Sequence, residues 1–352
     1  MASTGVGLIG FGVVGAGFID VLGRNAEAIR QRLGFDVELL RVADLDIKTD
    51  RGIKLPKGML TTDAMDVISD ERIGVVVELI GGVEPAGSLV LEAIRRGKHV
   101  VTANKALLAE RGDEIFEAAA AAGVNVAFEA SVGGGIPIVR VIRESLSVDK
   151  ITNVYGIING TANYILTKMD FEGKSFSEAL SEAQEAGYAE KADPSLDVDG
   201  LDTAHKLVIL ARLAYGIRVG MDDLYVEGIA GITPQDLEIA EEFGYRVKLL
   251  GIAKDVGGAV DLRVHPTLIR DDHLIAFVDG VNNAICVCGE ASGETMLYGQ
   301  GAGRLPTGVA VLGDVVDLVA RVRLGVPARP AVTYLEPGLK LLAVDDVVTR
   351  YY

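Results

Sequence analysis

Tryptophan is absent from this 352-residue chain, and aromatic residues of all kinds make up only 5% of it. Indole stacking platforms and Trp-anchored interfaces are therefore excluded. Cysteine occurs only twice, as Cys286 and Cys288 in the apolar run AICVCGE. Residues two apart on a strand point to one face, where so close a pair would make only a strained disulfide; two buried thiols in a reducing compartment fit better. The four histidines, His99, His205, His265 and His273, have no metal-site spacing to one another or to cysteine, which argues against a transition-metal centre. No apolar run reaches the ~18 residues of a membrane span. No basic stretch precedes the opening GVGLIG, as a secretory leader would require. Basic residues are in deficit: 34 Lys and Arg stand against 50 Asp and Glu, a formal net charge of −16. That balance disfavours nucleic acid and membrane surfaces as partners and fits a cytoplasmic protein whose small anionic ligands are met locally.

What is present is a chain long enough for two domains, 49% hydrophobic and rich in glycine, a mix that suits buried parallel strands covered by helices. The first part alternates in period. GVGLIG, VELLRVAD, IGVVVELIG, KHVVTA and VNVAFEA read as strands, with helices over residues 13–33, in PAGSLVLEAIRRG and over 105–123 between them. This α/β alternation predicts a Rossmann-type doubly wound parallel sheet over residues 1–135. After SVGGGIP the character changes. Two or three consecutive helices separate longer strands, and RVKLLGIAKDV, AVDLRVHPTLI and AICVCGEASGETMLYG read as antiparallel, because short Gly-rich or charged turns part them. A second α+β domain is expected over residues 136–303. A helical stretch placed at about 304–340 then returns to the first domain, and a tail covers 341–352.

Gly10-Phe11-Gly12-Val13-Val14-Gly15 ends the first strand and opens the first helix. In such a turn the first glycine allows the tight bend, the second lets backbone approach a pyrophosphate, and the third lets helix and strand pack closely. The motif alone is weak in a glycine-rich chain; at the first strand–helix junction of an alternating pattern it is strong. Asp44 closes the second strand, where a carboxylate takes ribose hydroxyls and repels a 2′-phosphate. Lys48 and Arg51 follow just downstream. NAD is favoured and NADP stays open.

The stretch Gly187–Lys206, GYAEKADPSLDVDGLDTAHK, holds Glu190, an acidic turn with Asp193, Asp197 and Asp199, and then Asp202 and Lys206 at helical spacing. Residues four apart share a helix face, so an acid and an amine here can fix a small zwitterion and move a proton. Alone, such a pair is most often a solvated surface ion pair. Three further segments carry polar residues in apolar surroundings: VVTANKALLA with Lys105, FEASVGGGIPIV with Glu129, and GIINGTANYIL with Asn159, Gly160, Thr161 and Asn163. Each has a plain reading. Lys105 can cap a carboxyl end, Glu129 can be a paired buried acid, and Tyr188 can simply pack. His205 reads as a helix-surface residue, and residues 133–135 as an ordinary turn.

Taken together these segments resemble homoserine dehydrogenase over essentially the whole chain, and the GYAE…DPxxDVxGxDxxxK stretch is the specific part. The resemblance implies NAD(P)H-dependent reduction of L-aspartate 4-semialdehyde to L-homoserine, a step in threonine, methionine and isoleucine biosynthesis. It implies that Lys105 and Lys206 flank the aldehyde carbon and oxygen, that Lys206 gives the proton and that Asp202 orients it. Glu190 and Asp197 would bind the substrate amino group, with Tyr188, Gly160 and Thr161 lining the pocket. The cofactor would meet the glycine turn, Asp44, Thr102, Lys105, Gly187 and Gly303. Carbonyls of Glu129, Val132, Gly134 and Ile136 would form a site for a monovalent cation, sodium or potassium, and the family commonly forms homodimers through the sheet of the second domain. Lys191 adds one residue to the family's usual GYAEADP spacing. Many bacterial relatives continue past a TRYY-like segment into a regulatory amino-acid-binding domain; ending at Thr349-Arg350-Tyr351-Tyr352, this chain is expected to lack it, as a short or truncated form, and to lack threonine feedback.

Two other readings compete. An aspartate-semialdehyde dehydrogenase needs a cysteine nucleophile, and neither cysteine has a base beside it in sequence. A non-catalytic NAD sensor would keep the glycine turn but has no need of Lys105, Asp202 and Lys206.

Overall fold

The computed structural model describes residues 5–335 and 338–348; the TRYY ending lies outside the described residues. The chain divides into two compact units, residues 1–137 with 302–333, and residues 138–301 with 334–352.

The first unit is built on a six-stranded parallel sheet of Gly5–Ile9 (β1), Leu39–Ala43 (β2), Leu60–Thr61 (β3), Ile73–Glu78 (β4), His99–Thr102 (β5) and Val126–Ala127 (β6), in the order β3-β2-β1-β4-β5-β6. Helices Val13–Leu33 (α1), Met65–Ile68 (α2), Ala86–Arg95 (α3) and Lys105–Ala122 (α4) lie between strands. β1 is buried at every residue, and Ile73, Val75, Val76 and Val77 of β4 are almost fully buried, as the continuous apolar runs of a sheet covered on both faces require. The strand order reverses between β1 and β4, so the crevice for a ligand opens at their carboxyl ends. The two-residue β3 is too short to leave a period in the sequence.

The second unit adds Ile138–Arg140 (α5), Ile151–Ile157 (β7), Gly160–Glu172 (α6), Phe176–Glu185 (α7), Ser195–Val198 (α8), Leu201–Tyr215 (α9), Tyr225–Val226 (β8), Pro234–Glu242 (α10), Tyr245–Asp255 (β9), Ala259–Arg270 (β10), Asn282–Gly289 (β11) and Gly293–Gln300 (β12). Its sheet runs β12-β11-β7-β9-β10 with antiparallel pairing throughout that stretch. β8 and Lys340–Leu341 (β13) add short parallel pairings to β10, so residue 340 is in a strand of this sheet and not in a helix. Helix α9 is buried along most of its length and touches β7, β9 and β10.

Helix Arg304–Leu324 (α11) belongs to the first unit, where Val311, Leu312, Val315 and Leu318 join the core with Phe18, Val21 and Val77. It ends at Leu324 and not near 340. Gly325 takes a left-handed φ of +64 and its N–H closes on Arg321 and Val322, after which Pro327 and Pro330 cannot continue a helix.

Candidate active site

In the first unit the glycine turn divides its labour as its spacing requires. Gly10 has φ +102, and a Cβ there would lie 2.5 Å from the Leu79 carbonyl. At Gly15 a Cβ would lie 2.2 Å from the Gly10 carbonyl oxygen, so α1 can pack on β1 only without a side chain. At Gly12 a Cβ would meet nothing within 4 Å. Gly12 also N-caps the 21-residue α1 with no side-chain hydrogen bond, which leaves the first-turn N–H groups for an anion. Phe11 is buried, Val14 is half-buried and Val13 is exposed. The residues thus fit a dinucleotide phosphate.

Asp44 faces that turn. Its Oδ2 accepts the Phe11 backbone N–H at 2.6 Å, and its Oδ1 accepts the Asp46 N–H at 2.8 Å. Arg51 lies 3.5 Å from Asp44 and the same distance from Asp46, with its guanidinium 5.1 Å over the Phe11 ring. Lys48 is exposed. Gly303 N-caps α11, whose Arg304 carbonyl would lie 2.0 Å from a Cβ on Gly17 of α1.

At the end of β5, Thr102 is fully buried and Lys105 is the first residue of α4, with Asn104 as N-cap. A lysine at the positive end of a helix dipole costs a few tenths of a kcal/mol rather than capping it. Glu129, Val132, Gly134 and Ile136 lie in a buried turn through two left-handed glycines, Gly133 and Gly134, with φ +69 and +53. The Glu129 N–H donates to Asp314 at 2.8 Å, tying this turn to α11. Among the described residues no group of His, Cys, Asp and Glu has metal-holding geometry, so a cation here would depend on carbonyls.

The second unit builds its site from side chains. Asp202 and Lys206 on α9 are 4% and 9% exposed, which removes the surface-pair reading. Lys206 Nζ donates to Asp202 Oδ2 at 2.7 Å and to the Ile158 carbonyl at 2.6 Å. An ammonium has three N–H donors, so one remains for an incoming oxygen. Asn159 holds the acids in place: its Nδ2 donates to Asp197 at 2.7 Å and to Asp202 at 2.8 Å. Its Oδ1 accepts the Ala162 N–H at 2.7 Å and so caps α6. Gly160 opens that helix, close enough to Val281 that a Cβ would lie 2.5 Å from its carbonyl. Thr161 donates its hydroxyl to the Tyr188 carbonyl at 2.8 Å, and the exposed Tyr188 ring meets Tyr164 edge-on at 5.0 Å. Glu190 is exposed, with its backbone carbonyl accepting from Gln184. Gly187 is exposed just past α7, in a different unit from the glycine turn.

Other expectations need adjusting. His205 is half-buried rather than on the surface, because α9 is enclosed over most of its circumference. Cys286 is buried but Cys288 is half-buried, since Cys288 nears the end of β11 beside the exposed β12. Neither forms a disulfide. Burial pushes the Cys286 thiol up to about 12, the opposite of what a nucleophile needs. Two site residues were not singled out for a role from sequence, Glu78 and Asn159. Glu78 left one signal, an acid ending an apolar strand.

Comparison with known proteins gives a consistent family. The profile for homoserine dehydrogenase matches residues 137–316, and that for the homoserine dehydrogenase NAD binding domain matches residues 10–129. Homoserine dehydrogenase of Pseudomonas aeruginosa is 51% identical over 316 residues, which span 89% of this chain and 72% of that protein. The crystal structure of a homoserine dehydrogenase from Thiobacillus denitrificans has TM-score 0.92 at 47% identity, covering 97% of this chain and 80% of its own. A hyperthermophilic archaeal homoserine dehydrogenase in complex with NADPH shares the fold, with TM-score 0.77 at 24% identity over 90% of this chain and 98% of its own.

Proposed function

This chain belongs to the homoserine dehydrogenase family, and from that premise we propose how its residues divide the work. It is an NAD(P)-dependent oxidoreductase that acts on a CH–OH group, reducing L-aspartate 4-semialdehyde to L-homoserine in threonine, methionine and isoleucine biosynthesis. The observation that carries the mechanism is Lys206, a buried ammonium held by one carboxylate and one carbonyl with a donor to spare.

The chemistry that NAD(P)H would supply when held here is a hydride for the aldehyde carbon. Lys206 gives its proton to the oxygen as negative charge develops there, and Lys105 supplies a second cation for that charge. Asp202 orients Lys206. Asp197 and Glu190 take the substrate ammonium, and Gly160, Thr161 and Tyr188 line its pocket. The glycine turn from Gly10 to Gly15, with Asp44, Thr102, Lys105, Gly187 and Gly303, holds the dinucleotide. NAD is favoured over NADP: Asp44 faces the turn and would repel a 2′-phosphate, while Arg51 beside it offers that phosphate partial relief. The carbonyls of Glu129, Val132, Gly134 and Ile136 would hold a monovalent cation, sodium or potassium. The protein works in the cytoplasm as a homodimer through the sheet of the second unit, where Tyr298 of the edge strand β12 is exposed. No described helix is long and apolar enough to cross a membrane.

The test is oxidation of NADH and NADPH with L-aspartate 4-semialdehyde by wild type and Asp44→Ala. Turnover with NADH preferred, and that preference lost in the variant, supports the assignment. Tight nucleotide binding without turnover would contradict the mechanism.

A further inference from the structure

Glu78 ends β4 with a carboxylate that is 0% exposed, at the point where the strand order of the first sheet reverses. Completing a buried strand does not call for an acid there, and burying one is costly unless hydrogen bonds replace its water. Its bonds show what it organises. Oε2 accepts the Thr102 hydroxyl at 2.6 Å, and Oε1 accepts the Ile80 N–H at 2.7 Å and, at a longer 3.4 Å, that of Gly81. The Thr102 oxygen accepts the Asn104 N–H at 3.0 Å. Asn104 then donates Nδ2 to the Gly82 carbonyl at 2.6 Å, and its Oδ1 caps α4 by accepting the Leu107 N–H at 3.1 Å. The bonds close a ring: Glu78, the 80–82 loop, Asn104, Thr102 and back to Glu78. Lys105 is the next residue after Asn104, and the backbone of Leu79 and Ile80 is what presses against Gly10 of the nucleotide turn.

We propose that Glu78 is a positioning residue: one buried carboxylate registers the start of α4, and with it Lys105, against the loop that backs the glycine turn. The proposal rests on the reading of Lys105 as part of the catalytic machinery. Every hydrogen bond to Glu78 uses it as an acceptor, so the role needs two acceptor oxygens. An amide at this position keeps the shape but offers one. Its oxygen can keep the Ile80 N–H while its nitrogen donates to the Thr102 oxygen, so the Thr102 O–H loses its acceptor and charge-assisted bonds become neutral ones, which loosens the ring beside Lys105.

The experiment is single-turnover hydride transfer in the full chain, followed by loss of NADH absorbance with L-aspartate 4-semialdehyde in excess. This rate is per bound cofactor, so it does not depend on the folded fraction. Glu78→Gln is expected to slow it about ten- to a hundredfold, with the thermal midpoint near wild type. Thr102→Val, which breaks the ring from the other side, should slow it similarly, and the double variant should be little worse than the poorer single one. Wild-type transfer rates in both single variants would overturn the proposal. So would a lowered thermal midpoint with an unchanged transfer rate, which marks a purely structural role. Lys105→Ala separates the two levels: full activity there overturns the reading of Lys105, whereas its loss beside a fully active Glu78→Gln overturns only the positioning role.

Discussion

The glycine turn of the first unit offers backbone, whereas the helix α9 network of the second unit offers buried charge. Gly12 presents an uncapped helix N-terminus to open space, and Gly10 and Gly15 serve by having no side chain at all. The second unit places an ammonium and two carboxylates around one amide: Lys206 on Asp202, and Asp202 with Asp197 on Asn159. A backbone cradle tolerates side-chain changes around it and fails when a Cβ intrudes. A charge network is unforgiving in the opposite way, since removing one member strands the rest in a low dielectric. The first arrangement suits a cofactor gripped through its phosphates, and the second suits a proton delivered to one atom.

The sharpest way to break this contrast is Asp202→Ala. It leaves Lys206 buried beside a carbonyl alone, and breaking such a pair costs about 3–5 kcal/mol. Thermal melting should show the lower midpoint, and NADH oxidation should fall about a hundredfold or more as the lysine loses its orientation. An unchanged rate would mean that the pair is structural.

Such a network was only partly legible in the sequence. The i,i+4 spacing put Asp202 and Lys206 on one face but said nothing of burial, which comes from the sheet over α9. Asn159 stands 38 residues before Asp197 and 43 before Asp202, a separation that no local pattern can bridge. The glycine turn was readable because its function is local: tight bend, close approach and close packing all fall within six consecutive residues. The place of Asp44 beside that turn was readable because a strand end is a fixed place in this fold. Glu78 was visible as an acid closing an apolar strand, yet its partners are the 80–82 loop and Thr102, which only the parallel pairing of β4 and β5 brings to it. The bound of about 340 for the last helix lies past the end of α11 at Leu324, which Gly325 and two prolines mark in the sequence.

A pair of alanines sharpens the backbone side. Gly15→Ala drives a Cβ to 2.2 Å from the Gly10 carbonyl oxygen, and overpacking of this kind costs about 1–3 kcal/mol. Gly12→Ala meets nothing within 4 Å and keeps an allowed φ of −74. It should melt like wild type yet raise the Kd for NADH about tenfold or more. Melting curves and cofactor titrations on both variants check this. Equal effects of the two would contradict the division of labour among the glycines.

Asn159→Ala tests the junction of the second network. It removes two charge-assisted donors and the cap of α6, so stability should fall by about 2–4 kcal/mol and turnover about tenfold, with NADH affinity unchanged. Calorimetry and steady-state rates read both. The smallest effect belongs to the thiols. Burial holds Cys286 near pKa 12 and raises Cys288 as well, so at pH 7.5 thiolate is scarce. Treatment with iodoacetamide should leave turnover intact and Cys286 without an adduct by mass spectrometry. Inactivation tracking a Cys286 adduct would reopen a thiol mechanism.

The most direct test of the whole account is the kcat of Lys206→Ala with L-aspartate 4-semialdehyde, measured beside its Kd for NADH. The account predicts a loss of about two to four orders of magnitude in kcat, with NADH bound as tightly as by wild type. Wild-type turnover by that variant would contradict it and move the proton donor elsewhere.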